Sequence, residues 1–122
     1  GEAEALLQNR VAFYNVWKPL YERVEELPLA CCDVTTHPDD DHLKMELKYK
    51  ERTGEIFVSR YSPKHKWYYF PYMQPDQALL LKTYDSDEAR ARFMAHSAFE
   101  DPTSPPEAKK RESIEVRTMA FF

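Results

Sequence analysis

The sequence predicts a mainly β domain, a sandwich or a barrel, with one short helix at its start. About eight short segments rich in aromatic and β-branched residues are separated by proline or glycine corners, at intervals of about 8–12 residues. Residues Leu43–Lys50 alternate between apolar and charged side chains, which indicates a strand with one solvated face. A chain of 122 residues has room for one such unit, so we expect a single domain over residues 1–122.

A helix comes first in the predicted order of elements. Residues 2–8 are helix formers with acidic side chains in the first turn, where the helix dipole favours them. Strands follow, and a proline-rich loop over residues 101–110 joins the last two. The strands are expected at residues 11–17, 29–34, 43–50, 55–61, 66–72, 78–84, 92–99 and 111–122.

Composition excludes several classes of protein. The net charge is −4 and the isoelectric point about 5.6, so we expect no nucleic-acid partner. No apolar run approaches the ~18 residues of a membrane span and no signal peptide is visible, so we expect no membrane partner. Cys31 and Cys32 are adjacent and make no disulfide framework, which favours a reducing, cytoplasmic setting. Two glycines are too few for a phosphate-binding loop.

Four histidines are the first candidates for metal chemistry. His37 and Asp39 form an HxD pattern, but Pro38 separates them in an acidic stretch, so we interpret residues 37–42 as a solvated loop. His65 is flanked by lysines at a turn, which predicts a surface position. His96 lies in a strand between aromatic residues and is a candidate metal ligand, general base or core residue.

Charged side chains at the chain's end form a second candidate group. Arg111, Ser113 and Arg117 share one face of the last strand, and a guanidinium beside a hydroxyl suits a carboxylate. The same spacing also describes a polar outer face. Lys82 ends an apolar run, where it either extends its amine to solvent or holds an anion in a closed site.

Aromatic residues are dense enough to form either a core or the wall of a ligand cavity. Alternate positions of the strands would face such a cavity together. We assign as substrate-binding candidates Asn15, Trp17, Trp67, Tyr69 and Phe99, with Ser113 and Arg117.

Several motifs together resemble one known family. They are NVWKPL at 15–20, PLACCD at 28–33, and the ordered pattern WYYFP, YDS, H-x-AF-x-DP, PP and RESIEVR between residues 67 and 117. Over nearly its whole length the chain resembles the C-terminal part of a fungal and bacterial family of non-haem iron, 2-oxoglutarate-dependent oxygenase-like proteins. Its members are hydroxylases and desaturases, including a cephamycin-pathway methoxylation protein. The resemblance implies a double-stranded β-helix, or cupin-like jelly-roll barrel.

The resemblance also implies roles for individual residues. His96 matches the distal iron-ligand histidine of the family. Arg111 and Ser113 look like the Arg-x-Ser pair that would grip the far carboxylate of 2-oxoglutarate, and Arg117 is an alternative for that role. The family's HxD motif lies upstream of the segment with which this chain begins. We therefore expect a barrel incomplete at its N-terminal side, with no metal site unless iron ligands from elsewhere join His96.

Two kinds of function follow from this departure. The favoured one is a cofactor-independent enzyme that folds an apolar polyene or terpenoid-like metabolite for pericyclic (Diels–Alder type) cyclisation, isomerisation or dehydration. Its catalytic groups would be His96, Arg111, Lys82 and Tyr84. The alternatives are an Fe(II)/2-oxoglutarate-dependent hydroxylase or desaturase, or a fragment of one, and a non-catalytic subunit paired with a full-length oxygenase. We expect a naturally short protein whose missing sheet edge is covered by a second copy in a homodimer. In the paired-subunit alternative, exposed strand edges near residues 10–17 and the Phe121-Phe122 tail would make the contact.

Overall fold

The computed structural model describes all residues from 1 to 122 and is mainly β. One helix, α1, spans Glu2–Leu6, two residues shorter than predicted. The eight strands are β1 Val11–Pro19, β2 Leu29–Cys32, β3 His42–Lys48, β4 Thr53–Ser59, β5 Trp67–Tyr69, β6 Leu79–Asp85, β7 His96–Ala98 and β8 Ser113–Phe121. Residues 101–110 contain neither helix nor strand, as predicted for the proline-rich loop.

The larger sheet is antiparallel and has the strand order β6-β1-β8. Strand β1 lies in the middle, with Asn15 opposite Leu81 of β6 and Arg117 of β8. A register shift between Phe13 and Tyr14 marks a bulge in the β1–β6 pairing. The prediction that residues 10–17 form an exposed sheet edge is therefore wrong, because distant strands pair with β1 on both sides.

The smaller sheet has the order β5-β2-β7 and is also antiparallel. Its outer strands are three residues long, much shorter than the segments 66–72 and 92–99 predicted from composition. Strand β5 ends before Phe70-Pro71, where proline offers no amide to a ladder, and Tyr72 has a positive φ of 53°. The predicted strands were too long because aromatic residues indicate a segment whose side chains pack well, and they do not show how many of its backbone groups pair.

Strands β3 and β4 form a hairpin that pairs with no other strand. The clean alternation of Leu43–Lys50 predicted the first of them correctly. The pairing continues one residue beyond the base of the hairpin, where the Arg60 amide donates to the Asp41 carbonyl over 2.8 Å.

A small core lies beside the larger sheet. Trp17, Val24, Met73 and Leu81 form its buried centre, and Leu29, Cys31, Leu79 and Met94 pack against them. Both cysteines are free thiols, and burial raises the pKa of each. Besides α1 there are two 3₁₀ turns, Val34–Thr36 and Asp39–Asp41, the second within the segment predicted to be a loop, and no helix is long and apolar enough to cross a membrane.

Candidate functional site

A cavity of about 710 Å³ opens between the larger sheet, the β3–β4 hairpin and the segment leading into β7. This volume is in the range of small-molecule sites. Half of its 18 lining residues are hydrophobic. Five of the predicted site residues line it: Asn15, Trp67, Tyr84, His96 and Arg117.

The polar side of the cavity is built on the paired strands β1 and β8. Arg117 lies directly opposite Asn15, and its Nε donates to Asn15 Oδ1 over 3.2 Å. The Asn15 amide nitrogen donates to Glu115, and Thr83 Oγ1 donates to Asn15 Oδ1 over 3.4 Å. Arg117 has no ion-pair partner in the structure. The cavity therefore contains a guanidinium that is held at one nitrogen and available at the others.

His96 lies at the start of β7 and lines the same cavity. Its Nδ1 is 3.1 Å from the Met94 carbonyl oxygen, which can only accept a hydrogen bond. Nδ1 therefore carries the proton in the neutral ring, and Nε2 keeps its lone pair. A histidine whose second nitrogen donates to a backbone carbonyl in this way has the arrangement typical of metal ligands and general bases.

Aromatic rings form the apolar walls. Tyr84 packs against Phe13 with ring centroids 5.3 Å apart, and Phe57 of the hairpin packs against Phe93 at 5.1 Å. His42 contacts Phe93 edge-on at 5.6 Å. The hairpin thus closes one side of the cavity through ring–ring contacts.

The remaining predicted site residues lie outside the cavity. Lys82 forms an ion pair with the Asp85 carboxylate, so its amine binds a side chain of the protein and not a ligand anion. Arg111 donates to the Leu27 carbonyl, and its guanidinium lies 5.7 Å from the centre of the Trp17 ring, which is part of the core. The other three are at the far ends of strands or on the smaller sheet: Tyr69, Phe99 and Ser113.

Tyr69 and Phe99 pack against each other rather than against a ligand. Their ring centroids are 4.9 Å apart in an edge-on arrangement, and Tyr69 Oη donates to Asp101 over 3.1 Å. This carboxylate raises the pKa of the Tyr69 phenol, since it accepts the phenol's hydrogen bond.

Sequence reasoning missed several cavity residues, and one of them is a histidine. His42, Phe13, Phe57, Phe93 and Thr83 line the cavity, as does Glu115, which shares the strand parity of Arg117. That parity was the one signal able to identify Glu115. The others come together only through pairing of distant strands, which no local pattern specifies.

The interpretation of His37 and His65 as solvent-exposed is wrong. His37 is 3% exposed and the His65 side chain 2%. The His37 ring lies 4.3 Å from the His65 ring, on which it is stacked, and 4.2 Å from the His42 ring, to which it is tilted by 35°. The three packed rings are called the imidazole stack below. His37 Nε2 pairs with Ser59 Oγ at 2.7 Å, and His65 Nε2 pairs with Asp41 at 2.9 Å. The charged residues next to His37 and His65 in the sequence indicated a solvated segment, and this is why the packing of the rings was not predicted.

An iron centre needs several donor side chains that converge on one point. Nowhere do three His, Cys, Asp or Glu side chains lie close enough together to hold a metal ion. His96 fits as one imidazole ligand, with Nε2 available, but an iron centre of two histidines and a carboxylate needs two more donors. These 122 residues alone do not fit a complete iron site.

The fold and the cavity define the class of the protein. Two antiparallel sheets of the jelly-roll type, with an imidazole and a guanidinium facing one aromatic cavity, make it an oxygenase-like β-barrel protein. The chain belongs to the family described as "Oxidoreductase/YMDC permease-like domain", which matches residues 1–121.

Individual relatives support the same class. The chain is 39% identical over 122 residues to "Fe(II)/2-oxoglutarate-dependent dioxygenase nvfI" of Aspergillus novofumigatus, covering 98% of this chain and 44% of that protein. It is 38% identical over 136 residues to "Hydroxylase/desaturase asaB" of Aspergillus flavus, covering 99% of this chain and 60% of that protein. The chain thus spans about half the length of the curated relatives it matches.

A solved structure agrees with the fold. The "iron and alpha-ketoglutarate-dependent endoperoxidase NvfI with different conformation" superposes with a TM-score of 0.91 at 37% identity, over 99% of this chain and 44% of that one. The resemblance noted from the sequence motifs, and the jelly-roll fold it implied, are confirmed.

Proposed function

We propose that the chain forms the ligand-binding cavity of an Fe(II)/2-oxoglutarate-dependent oxygenase that hydroxylates or desaturates an apolar specialised metabolite. The observation that carries the proposal is the cavity itself, in which Arg117 and His96 face the same aromatic-walled space. Relatives with iron and 2-oxoglutarate in their names support it.

Arg117 is the residue we assign to 2-oxoglutarate. Its Nε is engaged by Asn15, which leaves the two terminal nitrogens for a carboxylate, and paired N–H···O bonds of this kind are strong and directional. Arg111 is the less suitable of the two arginines, because its guanidinium donates to the Leu27 carbonyl beside the core. The geometry thus favours one of the two alternatives that the sequence left open.

His96 supplies one imidazole to the site. With Nδ1 donating to the Met94 carbonyl, the ring is held in the tautomer that presents an Nε2 lone pair. Iron and 2-oxoglutarate supply the oxidising chemistry when bound together, and the further ligands come from outside these residues. Within the chain, Phe13, Tyr84 and Phe93 exclude water and orient an apolar substrate.

The first test is binding of 2-oxoglutarate to the 122-residue protein, measured by ligand-observed NMR. We expect the Arg117→Gln variant to lose at least about tenfold in affinity, since charge-assisted bonds to a carboxylate contribute roughly 1.5–3 kcal/mol. The Arg111→Gln variant should bind like the original protein. Equal binding by the original protein and Arg117→Gln, or loss only in Arg111→Gln, would overturn the assignment.

Cofactor-independent chemistry is the second candidate, and the placement of two side chains in the cavity favours it. The Tyr84 phenol and the His96 imidazole line the same apolar cavity, where they can polarise a carbonyl or move a proton during cyclisation, isomerisation or dehydration. Lys82 and Arg111 take no part in this version, since both are engaged elsewhere.

Anaerobic titration with Fe(II) and 2-oxoglutarate separates the two candidates. Stoichiometric iron, with the weak visible charge-transfer band of the ternary complex, would eliminate the cofactor-independent candidate. A folded protein that binds 2-oxoglutarate through Arg117 but retains no iron would require iron ligands from outside these 122 residues. A folded protein that binds neither would favour the cofactor-independent candidate.

A further inference from the structure

Asn15 occupies an unusual position for a polar side chain. It is 2% exposed and lies in the centre of β1, the middle strand of the larger sheet. Asparagine is disfavoured in strands, and burying its amide costs free energy unless hydrogen bonds replace those to water. An apolar residue would fill this place at a lower cost in free energy. The buried amide therefore depends on the groups to which it is hydrogen-bonded.

Three side chains converge on the Asn15 amide. Its oxygen accepts from Arg117 Nε at 3.2 Å and from Thr83 Oγ1 at 3.4 Å, and its nitrogen donates to Glu115. These three neighbours all line the cavity, and Asn15 contacts each of them. The amide is therefore the common point of the polar side of the site.

This arrangement has two effects on Arg117. Because Nε is fixed, the plane of the guanidinium is set and its terminal nitrogens are the ones left for a ligand. Glu115 is hydrogen-bonded to the Asn15 nitrogen and forms no ion pair with Arg117, so the terminal nitrogens of the guanidinium are left for an incoming anion. Both effects lower the cost of ordering a long side chain on binding.

We infer that Asn15 is a positioning residue, which orients Arg117 for end-on binding of a carboxylate and keeps Glu115 from neutralising it. The inference rests on the proposed function, because it takes the carboxylate of 2-oxoglutarate as the ligand of Arg117. Asn15 acts through Arg117 and need not touch substrate, which differs from its assignment as a substrate-binding residue.

The test combines 2-oxoglutarate affinity with the NMR signal of the Arg117 Nε–H group. Asn15→Leu removes all three side-chain hydrogen bonds, whereas Asn15→Asp keeps an oxygen to accept from Arg117 Nε. We expect Asn15→Leu to weaken 2-oxoglutarate binding about fivefold, the cost of ordering one long side chain. The slowly exchanging Arg117 Nε–H signal should disappear in Asn15→Leu and persist in Asn15→Asp. A merely structural role would lower stability in both variants without moving this signal selectively.

Thr118→Val is the matched control. Thr118 lies next to Arg117 but its hydroxyl donates to the Tyr14 carbonyl over 2.9 Å, so the variant loses a β8–β1 bond without altering the cavity. It should keep both the affinity and the signal. If Arg117→Gln abolishes binding while Asn15→Leu binds normally, the role of Asn15 is wrong and the proposed function stands. If the original protein binds no 2-oxoglutarate but the signal follows the predicted pattern, the positioning geometry stands and the proposed function fails.

Discussion

Asp85 is the one fully buried residue with a formal charge, and two cations surround it. Arg10 donates to it through Nε at 3.0 Å and a terminal nitrogen at 2.7 Å, Lys82 forms an ion pair with it, and the Asp87 amide donates at 3.0 Å. The hydrogen bonds from Arg10, followed by those from Lys82, hold the pKa of this carboxyl well below its ordinary value of 3.8. This cluster joins the start of β1 to the end of β6.

We expect Asp85→Asn to lower the melting temperature by several degrees at pH 7, because it leaves Arg10 and Lys82 without their counter-charge. Because the native pKa of Asp85 is lowered, the ionised carboxylate stabilises the folded state above pH 3.8. This contribution to the free energy of unfolding is lost as the pH falls below that value. The variant should therefore lose part of the acid sensitivity. Thermal unfolding at pH 7 and pH 3 measures both effects. Asp76→Asn, at an exposed position without an ion pair, is the control; equal melting temperatures of the two variants at pH 7 would contradict the prediction.

At the scale of elements, the β3–β4 hairpin depends on the imidazole stack at its base. His37 precedes β3, His42 begins it and His65 follows β4, so the three rings connect both ends of the hairpin. Burial, followed by the charge of a protonated His37, lowers the pKa of His42 from its ordinary value of 6.5. Asp39 and Asp41 oppose this shift without cancelling it.

The stack makes stability depend on pH near neutrality. The native pKa of His42 is lowered, so the folded state favours the neutral ring. The contribution of this neutral ring to the free energy of unfolding is fully present above pH 6.5 and is lost as the pH falls below that value. We expect the urea midpoint of unfolding to fall between pH 7.5 and pH 5.5, and to fall less in His42→Phe, which keeps a ring in the stack. The same pH slope in both proteins would show that His42 is not the group responsible.

The core beside β6 offers a test with adjacent residues. Leu81 is 1% exposed among Trp17, Val24 and Met73, whereas Leu80 is 70% exposed on the opposite face of the strand. We expect Leu81→Ala to lower the free energy of unfolding by about 2–5 kcal/mol, and Leu80→Ala to change it by less than about 0.5 kcal/mol. Denaturant titration measures both, and equal losses would show that the two faces are not packed as described.

Elements were predictable from the sequence where the signal is local. The alternation of Leu43–Lys50 and the parity of β8 each follow from neighbouring residues. Which strands pair depends on segments that are distant in the sequence. For this reason the sequence predicted β1 at a sheet edge, and predicted solvent-exposed positions for His37, His42 and His65. Arg111 and Arg117 have the same parity, but β8 begins only at Ser113, so Arg111 lies beside Trp17 and Arg117 beside Asn15.

At the scale of the whole molecule, few residues are buried, and both outer strands of the larger sheet, β6 and the longer β8, are unpaired along one side. Only 13 of the 122 residues are buried, and β8 is an edge strand whose Ile114, Val116 and Met119 are exposed. Unpaired edges with apolar side chains favour pairing with another chain. Covering by a second copy, or by a full-length oxygenase, stays a prediction. Of the two contact regions expected from the sequence, residues 10–17 lie in the middle of the sheet, whereas the exposed Phe121-Phe122 tail lies at the end of the unpaired strand β8.

We expect the chain to associate in a concentration-dependent manner through β8. Val116→Lys places a charge in the middle of this edge and should shift the mass measured by light scattering toward the monomer. Lys44→Ala, a change on the separate hairpin, should leave the mass distribution unchanged. Monomeric behaviour of the original protein at all concentrations would contradict self-association.

The isolation of the hairpin has a consequence for how such a site can diversify. Strand β4 contributes Ile56, Phe57 and Val58 to the cavity wall and β3 contributes His42, yet the two strands share no ladder with either sheet. Arg117 and His96 stand on strands of those sheets. A hairpin of another length or composition could therefore be grafted between His42 and Ser59, altering the shape of the cavity wall while the strands that carry Arg117 and His96 keep their register.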